Sequence, residues 1–437
     1  MSHPPATIVF FPEGAFGPTN NCVGIGQVLR ERGHRVVFVV EESFAGTLEA
    51  KGFEEALMRL GPPPAEPEVP GQFWKDFIRD TAPVFRTPTI DQLGGFLAPT
   101  WRALIDGSTY VQPRLVEIFG DLQPDVIVED NVVAFPAVAT AGMPWVRIMS
   151  CNPLEMPDAD IPPVFSGYPV ADRSSWRDFE TERDRTHREL WDGFDAFMRD
   201  HGAPGLPDLG FMIESPFLNL SLYPGEADYR RRSPLNPTWH RLGSCVRGTD
   251  DAFEWPTGFE PDRAGADPLL YLSLGSLGSA DVDLMRRLVA LLADQPYRVI
   301  VSKGPQAELF DLPAGMWGAA FVPQTRILPH VDVVITHGGN NTVTECFDAG
   351  VPMVVLPLFW DQYDNAQRVD ELGFGVRLDP YRCTAQDLRS AIERLVSPDG
   401  PRRRMTAISA RLRAHPGTVT AADLIERLTA GSVLPTR

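Results

Sequence analysis

FVPQTRILPHVDVVITHGGNNTVTECFDAGVPMVVLPLFWDQYDNAQRVDELGFGVRL, residues 321–378, decides the fold. The apolar run VDVVIT predicts a strand that ends in His337-Gly338-Gly339-Asn340-Asn341-Thr342, with a helix beginning near Asn341. A strand that feeds a Gly-rich turn and a helix N-terminus makes an anion site, because free N–H groups and the positive end of the helix dipole point the same way. Gly338 and Gly339 allow a ligand close to the backbone, and His337 and Thr342 add side-chain donors. Glu345 lies one turn further in, where a carboxylate accepts two vicinal hydroxyls, as on a ribose. The next strand, VPMVVLP, runs out at Trp360-Asp361-Gln362, adjacent groups suited to sugar hydroxyls.

The same grammar extends in both directions. Upstream, LLYLSLG (269–275), YRVIVSK (297–303) and VDVVITH (331–337) alternate with helix-like segments such as DLMRRLVALLAD. Gly275 and Ser276 close the first of these strands and offer another N–H and a hydroxyl to a phosphate. The amino-terminal half opens with TIVFFP (7–12), a helix capped by Asn20 or Asn21 and ended by Gly33, and RVVFVVE (35–41). DVIVED (125–130) and WVRIMS (145–150) continue it. Strands joined by helices require right-handed crossovers and parallel sheets. The expectation is α/β: two Rossmann-like domains with parallel sheets facing each other across a cleft, where strand C-termini present the ligands.

The polar stretch RGTDDAFEWPTGFEPDRAGADP (246–267) reads as the linker between the halves. Two insertions interrupt the first half. Residues 62–112 carry Phe73, Trp74, Phe77, Phe85, Phe96 and Trp101, and residues 152–213 carry Trp176 and Trp191. Aromatic insertions after strand ends wall an acceptor pocket or simply pack as satellite core.

Composition narrows the function. A net charge of −18 over 437 residues argues against a nucleic-acid polymer as partner. Five scattered cysteines without a CxxC point to a reduced compartment and no structural zinc. No apolar window reaches the roughly 18 residues of a membrane span, and the N-terminus lacks a basic leader, so a cytoplasmic protein is expected. Gly24-Ile-Gly26 lacks the third glycine of a dinucleotide fingerprint. Asp158-Ala-Asp160 looks like a metal-binding DxD but has no strand before it, and no metal is expected. His187, His201, His240 and His415 read as surface or helix residues.

The 321–378 run resembles the donor-binding signature of the family 1 glycosyltransferases, which have the GT-B fold and include plant UDP-sugar and bacterial macrolide enzymes. The spacing from His337 through Glu345 to Asp361-Gln362 matches without a gap, and QVLRERGHRVVFVV resembles the family's "ELxxRGHxV" segment. The resemblance implies an acceptor-binding domain at 1–245, a nucleotide-sugar domain at 246–415 and a carboxy-terminal helix at 416–437 packing back on the first. It implies that Phe321 flanks the base and that Val322 and Gln324 contact base and ribose. His337, Gly339, Asn341 and Thr342, with Gly275 and Ser276, would hold the diphosphate. Glu345 would take the ribose, and Asp361 and Gln362 the transferred sugar. UDP-glucose is the expected co-substrate, without a metal, and a dTDP-deoxysugar is the alternative. The implied setting is bacterial natural-product or secondary metabolism, in a monomer or homodimer acting on a small-molecule acceptor.

One segment departs from the family. FGPTNN (16–21) occupies the place of its HGHxNP, so Phe16 and Pro18 replace two histidines, the second of which is the usual base. The aspartate that steadies that base has a counterpart in Asp130 of PDVIVED. Asp130 itself, directly or through a water, or Glu13 at the end of the first strand could accept the proton instead. Other readings are a reaction with no dedicated base, a catalytically inactive auxiliary partner of another transferase, or an epimerase on the same fold. The expectation is inverting hexosyl transfer to a hydroxyl.

Overall fold

The computed structural model describes residues 4–63, 72–248, 252–261 and 267–430, side chains 73–75 excepted. The expectations for Phe73 and Trp74, for linker residues 249–251 and 262–266, and for the tail 431–437 lie outside the described residues.

Among these residues the chain forms two wholly parallel sheets. The first holds β1 (Thr7–Pro12), β2 (Arg35–Glu41), β3 (Glu54–Met58), β4 (Val126–Asp130), β5 (Trp145–Met149), β6 (Leu218–Ser221) and β7 (Trp239–Arg241), in the order β3-β2-β1-β4-β5-β6-β7. The second holds β8 (Leu269–Ser273), β9 (Arg298–Ser302), β10 (Met316–Ala319), β11 (Val333–Thr336), β12 (Met353–Val355) and β13 (Gly375–Arg377), in the order β10-β9-β8-β11-β12-β13. The inner strands β4, β8 and β11 are buried at every position, which is why they read as unbroken apolar runs rather than alternating ones.

In each sheet the strand order reverses once. The reversal falls between β1 and β4, where Pro12 pairs with Asp130, and between β8 and β11, where Ser273 pairs with Thr336. Crossovers leave these two points in opposite directions and open a crevice at the strand C-termini. Glu13 and Asp130 sit at the first crevice; Gly275 and His337 sit at the second.

The helix after β1 runs Phe16–Glu31, with Ala15 as its N-cap, and so begins earlier than the expected cap at Asn20 or Asn21. Pro18 does not stop it, because N–H groups in a first turn have no intrahelical partner to lose. Gly24 and Gly26 serve packing: a Cβ on Gly24 would lie 3.1 Å from Thr418 and 3.2 Å from the Cys245 carbonyl. That contact admits the last helix, Gly417–Thr429, whose Ala421, Ala422, Leu424 and Ile425 join the core beneath β1 and β2. Arg32 bonds Asp423 and Glu426 at 2.8 Å each, and His34 meets Glu426 at 3.0 Å.

Aromatics of the insertions pack against the second half, and Phe85 also lines a crevice there. Phe96, Trp101 and Phe165 are buried. Phe359 takes Phe85 and Phe96 at 5.0 and 5.4 Å, and Trp360 takes Trp101 and Phe165 at 4.9 and 4.7 Å. Trp176 stacks under Arg173 of the preceding turn, and Trp191 under Arg188 of the same helix. His201 and His415 are exposed and His187 lies on a helix, as expected, though its side chain is buried; His240, on β7, is buried instead of exposed or helical. Asp158 and Asp160 are loop organisers. Asp158 accepts the N–H groups of Asp160, Arg232 and Ser233, and Asp160 pairs with Arg173 and Arg232.

Candidate active site between the two sheets

On the amino-terminal side, strand pairing brings two carboxylates together. The Glu13 N–H donates to the Asp130 carbonyl at 2.9 Å, and the Asn131 side chain donates to the Phe11 carbonyl at 2.8 Å, so the ends of β1 and β4 are tied. Asp130 is 3% exposed. Its Oδ1 accepts the Ser150 hydroxyl at 2.7 Å, and its Oδ2 has no hydrogen-bond partner. Burial pushes its carboxyl up to about 7, against the pull of the Ser150 bond and the Arg147 charge. Glu13 is only half-buried. Its carboxyl also rises to about 7, through burial first, then the Asp130 charge, with the Val132 N–H opposing and Glu41 adding. Phe16 packs its ring 5.7 Å from that of Phe44.

On the carboxy-terminal side, β11 delivers His337 and the two glycines to the helix Asn340–Ala349. Its N-cap is Gly339, which has no side chain to offer the first-turn N–H groups, so these remain for a ligand. His337 lies against Gly275. A Cβ on Gly275 would stand 2.8 Å from the imidazole, and its φ of +71° is strained for any other residue. Burial drives the His337 pKa down to about 4, against the bond its ring gives the Ser273 carbonyl. The imidazole is therefore neutral near pH 7 and acts as a donor, not a cation. Ser276 follows Gly275 in a short helix, Gly275–Gly278. Asn340, which sequence reasoning passed over, turns inward to the Leu222 carbonyl of the first half at 3.1 Å.

Glu345 is 3% exposed and already engaged. Its Oε1 meets the Arg247 guanidinium at 3.0 Å and the Asn341 amide at 3.2 Å, and its Oε2 accepts Gln324 at 2.6 Å. Gln324 also reaches the Thr342 hydroxyl at 3.3 Å. Arg247 comes from the interdomain segment, and no local motif marked it. Phe321 stands 71% exposed beside this cluster, while Val322 is buried.

Asp361 and Gln362 begin the helix Gln362–Glu371. The Asp361 Oδ2 accepts the Asn152 N–H at 2.8 Å and the Asn365 amide at 3.2 Å. Burial raises its carboxyl to about 7 against those bonds. The Gln362 Oε1 accepts the N–H groups of Leu358 and Phe359, which leaves its amide nitrogen as the group to offer a ligand. Trp360, between them and their loop, holds a left-handed φ of 58°, strain that the surrounding aromatics sustain.

The two sides face each other closely: a Cβ on Gly17 would lie 4.0 Å from the Asn341 Cβ. A crevice of about 420 Å³ also opens between the halves, lined by residues including Phe85, Arg86, Gly278, Asp281, Leu358 and Tyr381. None of the described helices is long and apolar enough to cross a membrane.

Comparison with known proteins supplies a second line. Residues 255–413 match the family model described as UDP-glucoronosyl and UDP-glucosyl transferase. The chain is 27% identical to oleandomycin glycosyltransferase of Streptomyces antibioticus over 431 residues, covering 97% of this chain and 90% of that protein. It is 26% identical to demethyllactenocin mycarosyltransferase of Streptomyces fradiae, covering 97% and 86%. The crystal structure of the glycosyltransferase of kitacinnamycin superposes with a TM-score of 0.66 at 26% identity, over 98% of this chain and 99% of that one.

Proposed function

We propose that the chain is a family 1 glycosyltransferase with the GT-B fold that moves a hexose, with inversion, from a nucleoside diphosphate sugar to a hydroxyl of a small molecule, Glu13 taking the proton. The observation that carries this reading is the juxtaposition of the two switch points, with Gly17 of the helix after β1 lying against Asn341 of the uncapped helix. In the reaction the acceptor oxygen bonds the anomeric carbon as the bond from that carbon to the phosphate oxygen breaks. The transition state has oxocarbenium character, the electron pair leaves on the diphosphate, and the hydroxyl proton passes to a carboxylate. The first-turn N–H groups, the helix dipole and the neutral His337 ring stabilise the charge that develops on the leaving group. On this reading that field does the work a metal does elsewhere.

Glu13 suits the role better than Asp130. Asp130 is sealed in and holds Ser150, whereas Glu13 is half-buried at the mouth of β1. A carboxyl raised to about 7 is a stronger base than an ordinary one and is still ionised in a useful fraction at neutral pH. Asp130 then acts as a positioning residue whose charge keeps Glu13 basic. The crevice between Phe85 and Tyr381 receives the body of the acceptor, its apolar wall running up to Leu358, three residues before Asp361. UDP-glucose is the donor suggested by Asp361 and Gln362 together, and a dTDP-deoxysugar is the second reading, favoured by the occupied Glu345.

The test is nucleotide release from UDP-glucose and dTDP-glucose against a panel of phenolic and macrolide acceptors, with kcat/KM followed from pH 5 to 9. Glu13→Gln removes turnover and leaves donor binding intact. Asp130→Asn keeps partial turnover and moves the ascending limb to lower pH, because a like charge has gone. Loss in Asp130→Asn with Glu13→Gln still active would transfer the role to Asp130. Donor binding without turnover on every acceptor would favour an auxiliary protein.

A further inference from the structure

We infer that a crevice at the β6–β7 edge of the first sheet, apart from the candidate active site, binds a small organic carboxylate. Its volume is about 370 Å³, and Asp228, Arg231, Leu235, Pro237, Trp239 and Arg241 are among the residues that line it. Ser221 and Arg241, paired at the ends of β6 and β7, both belong to the lining. In the sheet order β5 and β6 separate β7 from β4, which puts β7 three strand spacings, roughly 14 Å, from the strand of Asp130. None of the lining residues belongs to the crevice between Phe85 and Tyr381 or to the groups around Glu345 and Asp361.

Charge decides the class of ligand. Arg231 and Arg241 share a single carboxylate of the lining, that of Asp228, in a chain whose net charge is −18. Asp228 is already engaged: its Oδ1 accepts the Tyr229 N–H at 2.7 Å and Arg231 at 3.0 Å, and its Oδ2 accepts Arg241. Two guanidiniums against one carboxylate leave a positive charge over. Two N–H groups are left over as well. The Arg231 Nε and the Trp239 Nε1 are buried and have no hydrogen-bond partner among the described residues. A donor taken from water without an acceptor is unfavourable, and the oxygens of an anion relieve both the donors and the charge. The Arg231 side chain, only 7% exposed, is fixed before any ligand arrives: it holds Asp228 and gives the Pro153 carbonyl a bond at 2.6 Å. Arg368 steadies the same loop through the Ala227 carbonyl at 2.7 Å and the Asp228 carbonyl. The volume is many times that of a carboxylate alone, and Leu235, Pro237 and the Trp239 ring add an apolar wall, so the anion carries a hydrocarbon or aromatic body.

Ligand-observed NMR titration of the full-length protein with benzoate, acetate and benzyl alcohol separates the charge from the body. Benzoate should bind with a dissociation constant on the order of 1 mM or below, and acetate and benzyl alcohol at least about tenfold more weakly. Arg241→Gln, at a side chain half in solvent, should weaken benzoate about fivefold or more. Trp239→Phe, which keeps an aromatic ring and removes the N–H, should weaken it about threefold. Arg231→Gln should abolish binding, and the other two variants carry the test if it does not fold. No wild-type binding of benzoate at tens of millimolar, or binding that Arg241→Gln and Trp239→Phe leave unchanged, would overturn the inference. Acetate or benzyl alcohol bound as tightly as benzoate would overturn the ligand class. The variants leave Glu13, His337 and Asp361 in place, so none of these outcomes bears on glycosyl transfer.

Discussion

The backbone N–H of Asn152, on the loop after β5, donates to the carboxylate of Asp361, at the start of a helix in the other half, at 2.8 Å. The Asn152 side chain donates to Asn365 Oδ1 at 2.8 Å, and Asp364 takes the N–H groups of Phe165 and Gly167 at 2.6 and 2.8 Å. One loop of the first half is therefore fastened along the helix that carries the proposed sugar-binding pair. Asp361→Ala should lower stability by about 1–3 kcal/mol, because a buried N–H loses its acceptor. Asp361→Asn keeps an acceptor oxygen and should hold stability within about 1 kcal/mol while losing most turnover. Chemical denaturation and steady-state kinetics on the two variants separate latch from sugar contact.

Buried carboxyls make the stability of this protein fall with rising pH. Glu13, Glu129, Asp130 and Asp361 are raised to about 7, and Glu155 and Asp364 to about 8. A carboxyl whose folded pKa lies above its unfolded one binds its proton more tightly when folded. Its contribution is full below the unfolded value near 4 and is lost as pH rises through 7 to 8. The melting temperature should therefore decline between pH 5 and 8.5. Asp130→Asn should raise it at pH 8 and change it little at pH 5. Thermal scans across that range check both statements; equal effects at both pH values would contradict them.

His337 is held uncharged near neutral pH by its burial. Because its pKa is down at about 4, affinity for an intact nucleotide sugar, which has no titrating phosphate near neutrality, should show no histidine-dependent step between pH 5.5 and 8. Fluorescence or calorimetric titration of UDP-glucose at several pH values would reveal such a step if the imidazole titrated there.

Phe321 is a ring held in solvent. An apolar side chain 71% exposed contributes little to folding, so Phe321→Ala should change stability by about 0.5 kcal/mol or less. If it flanks the nucleotide base, the same change should weaken nucleotide binding by about 1–3 kcal/mol, the usual worth of a stacked base. Unaltered nucleotide affinity in a normally folded variant would remove the residue from the site.

The sequence by itself determined the two parallel sheets and the Gly-rich turn between β11 and its helix. Unbroken apolar runs, glycines at turns and a strand delivering His337 to a helix at Asn340 are local patterns, governed by backbone hydrogen bonding and side-chain periodicity within a few residues. Only the tertiary structure decided what the site's charged groups hold. Arg247 and Glu345 are 98 residues apart, Asn152 and Asp361 209, and their pairing depends on how the two halves close. The start of the first helix was misread for a related reason: a cap was sought in a side chain, and Ala15 caps with backbone alone. The aromatic insertions, equally legible as pocket or core, are core where Phe359 and Trp360 from the other half cover them, while Phe85 also lines a crevice. The proposed preference for Glu13 over Asp130 likewise rests on burial, which no run of adjacent residues encodes.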